Sequence, residues 1–150
     1  MQKVVFDTNI FVSSLLSKTG RPAMVIDAWR GGQYLLVTSP SIISEIKRVL
    51  EAPRIRKKYG PDRERIENLI LLLENNTIIV PGLSAAPGAI PEDPTDEMFL
   101  SAALDAKADL IVSGDRHLLD LGEYQGIPVL TVQQFSERLD KQDPSVGSTK

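Results

Sequence analysis

The 150-residue chain has no cysteine, a single histidine and a single tryptophan. Without thiols it can form neither a disulfide nor a thiolate metal site, which suits a reducing cytosol. No stretch approaches the roughly 20 apolar residues that a membrane span requires. The opening MQKVVFD carries an apolar run too short for a cleavable signal and leads straight into a polar turn, so a cytoplasmic protein is expected. No internal repeat is visible. With 42% apolar and 25% charged residues, the composition fits one domain with a proper core.

The net charge of −3 argues against binding a polyanion by overall attraction, but the charge is unevenly spread. Between Lys47 and Arg65 stand eight bases and three acids, so that stretch is +5 and the remainder −8. Such asymmetry marks a candidate polyanion-binding face around Arg54, Arg56, Lys57 and Lys58. The plainer alternative is a solvated helix surface.

Short apolar runs alternate with helical spacing along the chain. Residues 3–6 read as a strand, followed by helices over 9–17 and 22–30, the second opened by Pro22 and closed by Gly31 and Gly32. Residues 34–37 form a second strand. Ser39 then caps a helix with Pro40 at its first position, and Ile42, Ile43, Ile46, Val49 and Leu50 share one face of it. Pro53 stops that helix, 54–60 are basic, and Pro61 opens the next, which ends near Asn75 and Asn76. Within it, the run Leu69 to Leu73 is too apolar for a free surface. Trp29, at helical spacing from Val25 and Ile26, is expected in the core or a subunit interface.

A third strand spans 77–80. A loop with four prolines covers 81–95, and long loops inside compact domains are often functional. Thr95 caps a helix from Asp96 to about Lys107. Residues 109–113 hold a fourth strand, a short helix runs through Leu121, 127–131 form a fifth strand, and a last helix covers 132–139. The polar tail 140–150 is expected to fray. Strands alternating with helices predict an α/β fold: a three-layer α/β/α sandwich around a five-stranded parallel sheet, occupying residues 1–139.

In such sheets, chemistry collects just past the carboxyl ends of the strands. Asp7 and Asp115 both stand there and should be close if strands one and four are neighbours. Asp7 read alone is equally a helix cap. Asp96 shares a helix stripe with Phe99, Leu100, Ala103 and Leu104, which points it inward, while Glu97 is turned towards water. Glu45 lies at the margin of its helix's apolar face. Four carboxylates from four segments, if they converge, repel one another unless cations neutralise them. Oxygen ligation points to Mg²⁺ or Mn²⁺ and so to a metal-dependent hydrolase of phosphate esters. Thr8, Ser13 and Ser14 read as packing or capping groups.

The segments VVFDTNIFVSSL, SPSIISEIKRVL, DPTDEMFLSAAL and LIVSGDRHLLDL, in that order, resemble the PIN-domain ribonuclease family. The likeness covers roughly residues 1–135 and is nearest to the branch of small prokaryotic toxin components of toxin–antitoxin pairs. It implies Mg²⁺- or Mn²⁺-dependent cleavage of single-stranded RNA, often by a homodimer held by an antitoxin protein. Asp7, Glu45, Asp96 and Asp115 fall on the family's four acidic positions, as catalytic and metal-binding residues. Asn9 falls on a polar position that orients the first acid, and Ser113 on one that supports Asp115. Many relatives carry another acid where this chain has His117. A histidine there can ligate or contact phosphate, though an exposed lone histidine more often does neither, and the change weakens a second metal position. Asp120 reads as a solvated or helix-end residue.

Two other functions fit parts of the pattern. A non-catalytic RNA- or protein-binding module could keep the fold, but it would have no need of all four acids. A phosphatase with an Asp nucleophile after strand one would need a second acid two residues on, where Asn9 stands.

Overall fold

The computed structural model describes residues 1–59, 63–84 and 96–142. Strand β1 (Lys3–Phe6) leads into α1 (Thr8–Leu16) and α2 (Arg21–Arg30), then β2 (Leu35–Thr38). Helices α3 (Pro40–Leu50), α4 (Pro53–Tyr59) and α5 (Arg63–Asn76) precede β3 (Ile78–Ile79). After these come α6 (Glu97–Ala106), β4 (Leu110–Val112), α7 (Arg116–Leu121), β5 (Glu123–Tyr124), β6 (Ile127–Leu130) and α8 (Val132–Gln142).

The strand order is β3-β2-β1-β4-β6-β5. From β3 through β6 every pairing is parallel. Successive residues Val4, Val5 and Phe6 are all buried. Because alternate strand residues face opposite ways, the central strand is covered on both faces. The residue before Asp7 is held especially firmly. The Phe6 ring packs 5.7 Å from Phe11 and 5.9 Å from both Tyr34 and Phe135, centroid to centroid. Trp29 lies in the same core, and α5 sends Leu69, Ile70 and Leu73 inward while Leu71 stays exposed.

Most expected elements are present, with bounds moved by a residue or two. Three differences have local causes. Pro53 does not only end a helix. It opens α4, so the basic stretch is helical; proline suits a first turn because its missing N–H would have no helical partner. A two-residue strand, β5, pairs antiparallel with β6, which makes the sheet mixed and six-stranded among the described residues. Its turn is Gln125–Gly126, both at positive φ, the conformation of a tight two-residue hairpin. Last, α8 runs on to Gln142, so the first residues of the expected tail are helical. Pro61, Thr95, most of the proline-rich loop and residues 143–150 lie outside the described residues.

Candidate active site

The chain first runs outward from β1 and then crosses to the other side of it, where β4 pairs along β1 with Phe6 opposite Val112. This reversal of strand order is where open α/β sheets form a crevice. One residue further on, Asp7 stands beside Ser113, and the Asp7 N–H donates to the Val112 carbonyl at 3.1 Å.

Asp7 caps α1 by accepting the Ile10 N–H at 3.2 Å, and it is only 3% exposed. Its other oxygen accepts the Ser113 hydroxyl and the Gly114 N–H at 3.1 Å. Burial pushes the Asp7 carboxyl above its ordinary value, the three hydrogen bonds pull it partly back, and the negative charge of Asp115 adds to the rise. The cap and the site acid are therefore the same side chain. Asn9 is not among the groups that bond Asp7; it is exposed and lies on the rim of the cleft.

Asp115 caps α7 through the His117 N–H at 2.7 Å and the Leu118 N–H at 3.3 Å. Its own N–H donates to the Ser113 hydroxyl at 2.8 Å. Asp96 sits at the cap position of α6, 8% exposed, above the buried Phe99, Leu100 and Ala103. The inward direction read from helix spacing holds, but Glu97 is half-buried rather than fully solvated. Glu45 enters from α3, half-buried, with its carboxylate held by the Arg48 guanidinium at 3.0 and 2.9 Å.

All four acids line one cleft of about 150 Å³, together with Thr8, Asn9, Val49, Met98 and Phe99. The potential ligands that stand together are not the set of four. Among the described residues, donor atoms of Asp96, Asp115 and His117 lie within 4.8 Å of one another, with Asp7 and Glu45 lining the same cleft outside that group. Two features go beyond the sequence reading, which left the role of His117 open. His117 stands with two acids, for which a His two residues after a cap Asp was only a weak signal. Thr8 is 7% exposed and its buried hydroxyl has no hydrogen-bond partner among the described residues, although Thr8 reads as a packing group.

Arg54 and Lys57 are exposed on α4, which packs against the Glu45-bearing α3; the side chains of Arg56 and Lys58 lie outside the described residues. Asp120 is well exposed and pairs with Arg116 at 3.9 Å. A wall of carboxylate oxygens with an unsatisfied hydroxyl fits a hard divalent cation that keeps oxygen ligands. Among the described residues, no helix is long and apolar enough to cross a membrane.

A family model described as PIN domain matches residues 3–117. The chain belongs to the PIN-domain family, a nuclease fold whose members generally act with divalent metal ions. It is also 29% identical over 147 residues to the uncharacterized protein MJ1680 of Methanocaldococcus jannaschii, covering 93% of this chain and 92% of that relative.

Proposed function

We propose that this protein is a metal-dependent endoribonuclease that hydrolyses phosphodiester bonds of single-stranded RNA, as the toxin component of a toxin–antitoxin pair. One observation carries the reading: Asp7, Glu45, Asp96 and Asp115, from four separate segments, line a single cleft at the strand-order reversal. These acids would hold Mg²⁺ or Mn²⁺, which supplies positive charge to stabilise the departing oxygen of an in-line displacement. Glu45 or Asp115 positions the attacking water, whose proton ends on the departing 3′-oxygen. Attack at phosphorus breaks the bond to the 3′-oxygen, leaving a 5′-phosphate and a 3′-hydroxyl. The basic stretch of Arg54, Arg56, Lys57 and Lys58 holds the RNA backbone. Its partners on this reading are RNA, a cognate antitoxin protein and a second copy of the chain in a homodimer, all in the cytoplasm.

The test is digestion of total RNA by pure protein with Mn²⁺, with EDTA and Asp7→Asn controls, followed by mapping of the cut ends. Cuts that bear 5′-phosphates and vanish in both controls support the reading. RNA binding without cleavage favours the non-catalytic module instead.

A further inference from the structure

We infer that His117 is a nitrogen ligand that turns this cleft away from Mg²⁺ and towards first-row ions that accept imidazole; this rests on the cleft being a divalent-cation site. The argument starts from α7. Arg116 and Asp120 pair with each other in solvent, whereas the His117 ring lies on the side of Asp115, with Nδ1 3.8 Å from Oδ1 of that residue. Asp96 completes the group, its donor atom within 4.8 Å of the other two. Two donors on one small cation at about 2.1 Å each lie at most about 4.2 Å apart, and the imidazole, 40% exposed, has room to close the difference.

A second observation points to an occupant of the cleft. Thr8 lines the cleft, its hydroxyl is buried and lacks a partner among the described residues, and a buried hydroxyl is costly to leave unsatisfied.

An imidazole beside these two carboxylates shapes the site in two ways. As a neutral donor it brings none of the negative charge and oxygen ligation that Mg²⁺ favours. It adds a donor that suits Fe²⁺, Ni²⁺ and Zn²⁺, in a series whose affinities rise from Mn²⁺ through Co²⁺ to Ni²⁺.

The experiment measures dissociation constants of Mg²⁺, Mn²⁺ and Co²⁺ for the full chain and for His117→Ala, His117→Asp and Asp7→Asn. Folding of each variant is checked by circular dichroism. Nitrogen coupling to bound Mn²⁺ is read by pulsed electron paramagnetic resonance. The expected result is nitrogen coupling in the wild type that disappears in His117→Ala. Co²⁺ affinity should fall at least about tenfold in that variant, with Mg²⁺ affinity nearly unchanged. His117→Asp should tighten Mg²⁺ binding and lower the Co²⁺-to-Mg²⁺ ratio. If the wild type binds cations with no nitrogen coupling and His117→Ala keeps the same Co²⁺-to-Mg²⁺ ratio, the inference is wrong and the cation site stands. If the wild type binds none of the three ions, the cation site itself is wrong and the inference falls with it.

Discussion

The hydroxyl of Ser113 donates to Oδ2 of Asp7 across 106 positions of sequence. The same hydroxyl accepts the N–H of Asp115 at 2.8 Å. One buried serine thus couples the acid at the end of β1 to the acid after β4. The β1–β4 register brings it there, placing residue 113 opposite residue 7.

Ser113→Ala should destabilise the protein by about 1–3 kcal/mol, because the Asp115 N–H and the Asp7 carboxylate each lose a partner. The Asp7 carboxyl, already raised by burial, should rise further without that bond. Cation binding needs the ionised form. The rise in melting temperature caused by Mn²⁺ should therefore begin at higher pH in the variant than in the wild type. Melting curves over a pH series with and without Mn²⁺ check both effects; coincident pH profiles would count against the coupling.

The pH dependence of the metal-free protein follows from two acids of opposite sign. Asp7 is raised above 3.8, so between 3.8 and that raised value the folded form holds a proton the unfolded form has released. Its contribution to stability is greatest below this window and declines as pH rises through it. Asp105 is lowered from 3.8, first by a hydrogen bond with the Ser84 side chain and then by backbone hydrogen bonds, its carboxylate accepting the N–H groups of Gly82, Leu83 and Ser84 at 2.6 to 3.1 Å. Its contribution is present above 3.8 and is lost as pH falls through the lowered value. Asp7→Asn should flatten the decline across the window above 3.8, and Asp105→Asn the loss below 3.8. Urea unfolding across the acid-to-neutral range decides; unchanged slopes in the variants would refute the assignment.

Asp96→Asn should abolish cleavage, by at least about 100-fold, as expected when charge stabilisation at a reacting centre is removed. Its metal-free melting temperature should rise, since a like charge leaves the cleft. Glu97→Gln should stay within a few-fold of the wild type. Single-turnover cleavage of a labelled RNA at fixed Mn²⁺ separates the two. A dead Glu97→Gln beside an active Asp96→Asn would mean that the other acid serves the site.

Replacing Arg54, Arg56, Lys57 and Lys58 with uncharged residues should weaken RNA binding alike for all sequences. If all four touch phosphates, the slope of log affinity against log salt should become shallower by roughly 3. Binding isotherms at several salt concentrations measure it, and an unaltered slope would take α4 off the RNA path.

Much of the fold was legible because its signals are local. Apolar runs of three or four residues, Ser39 before Pro40, and the phase of Asp96 with Phe99 and Leu100 each depend on neighbours a few positions away. The missed elements also had local causes, read wrongly: Pro53 served as a stop when it was a start, and Gln125–Gly126 is a weaker hairpin mark than Asn-Gly or Asp-Gly.

By itself, then, the sequence determined where strands end on carboxylates and which face of each helix is apolar, since backbone geometry and hydrophobic spacing act over a few residues. Only the tertiary structure decided that β4 lies against β1, that one serine serves both Asp7 and Asp115, and that His117 stands with Asp96 and Asp115. It also decided that the Thr8 hydroxyl is left without a partner among the described residues. These are contacts between segments up to about a hundred residues apart, set by strand register and by how the helices pack over the sheet, and no local spacing encodes them.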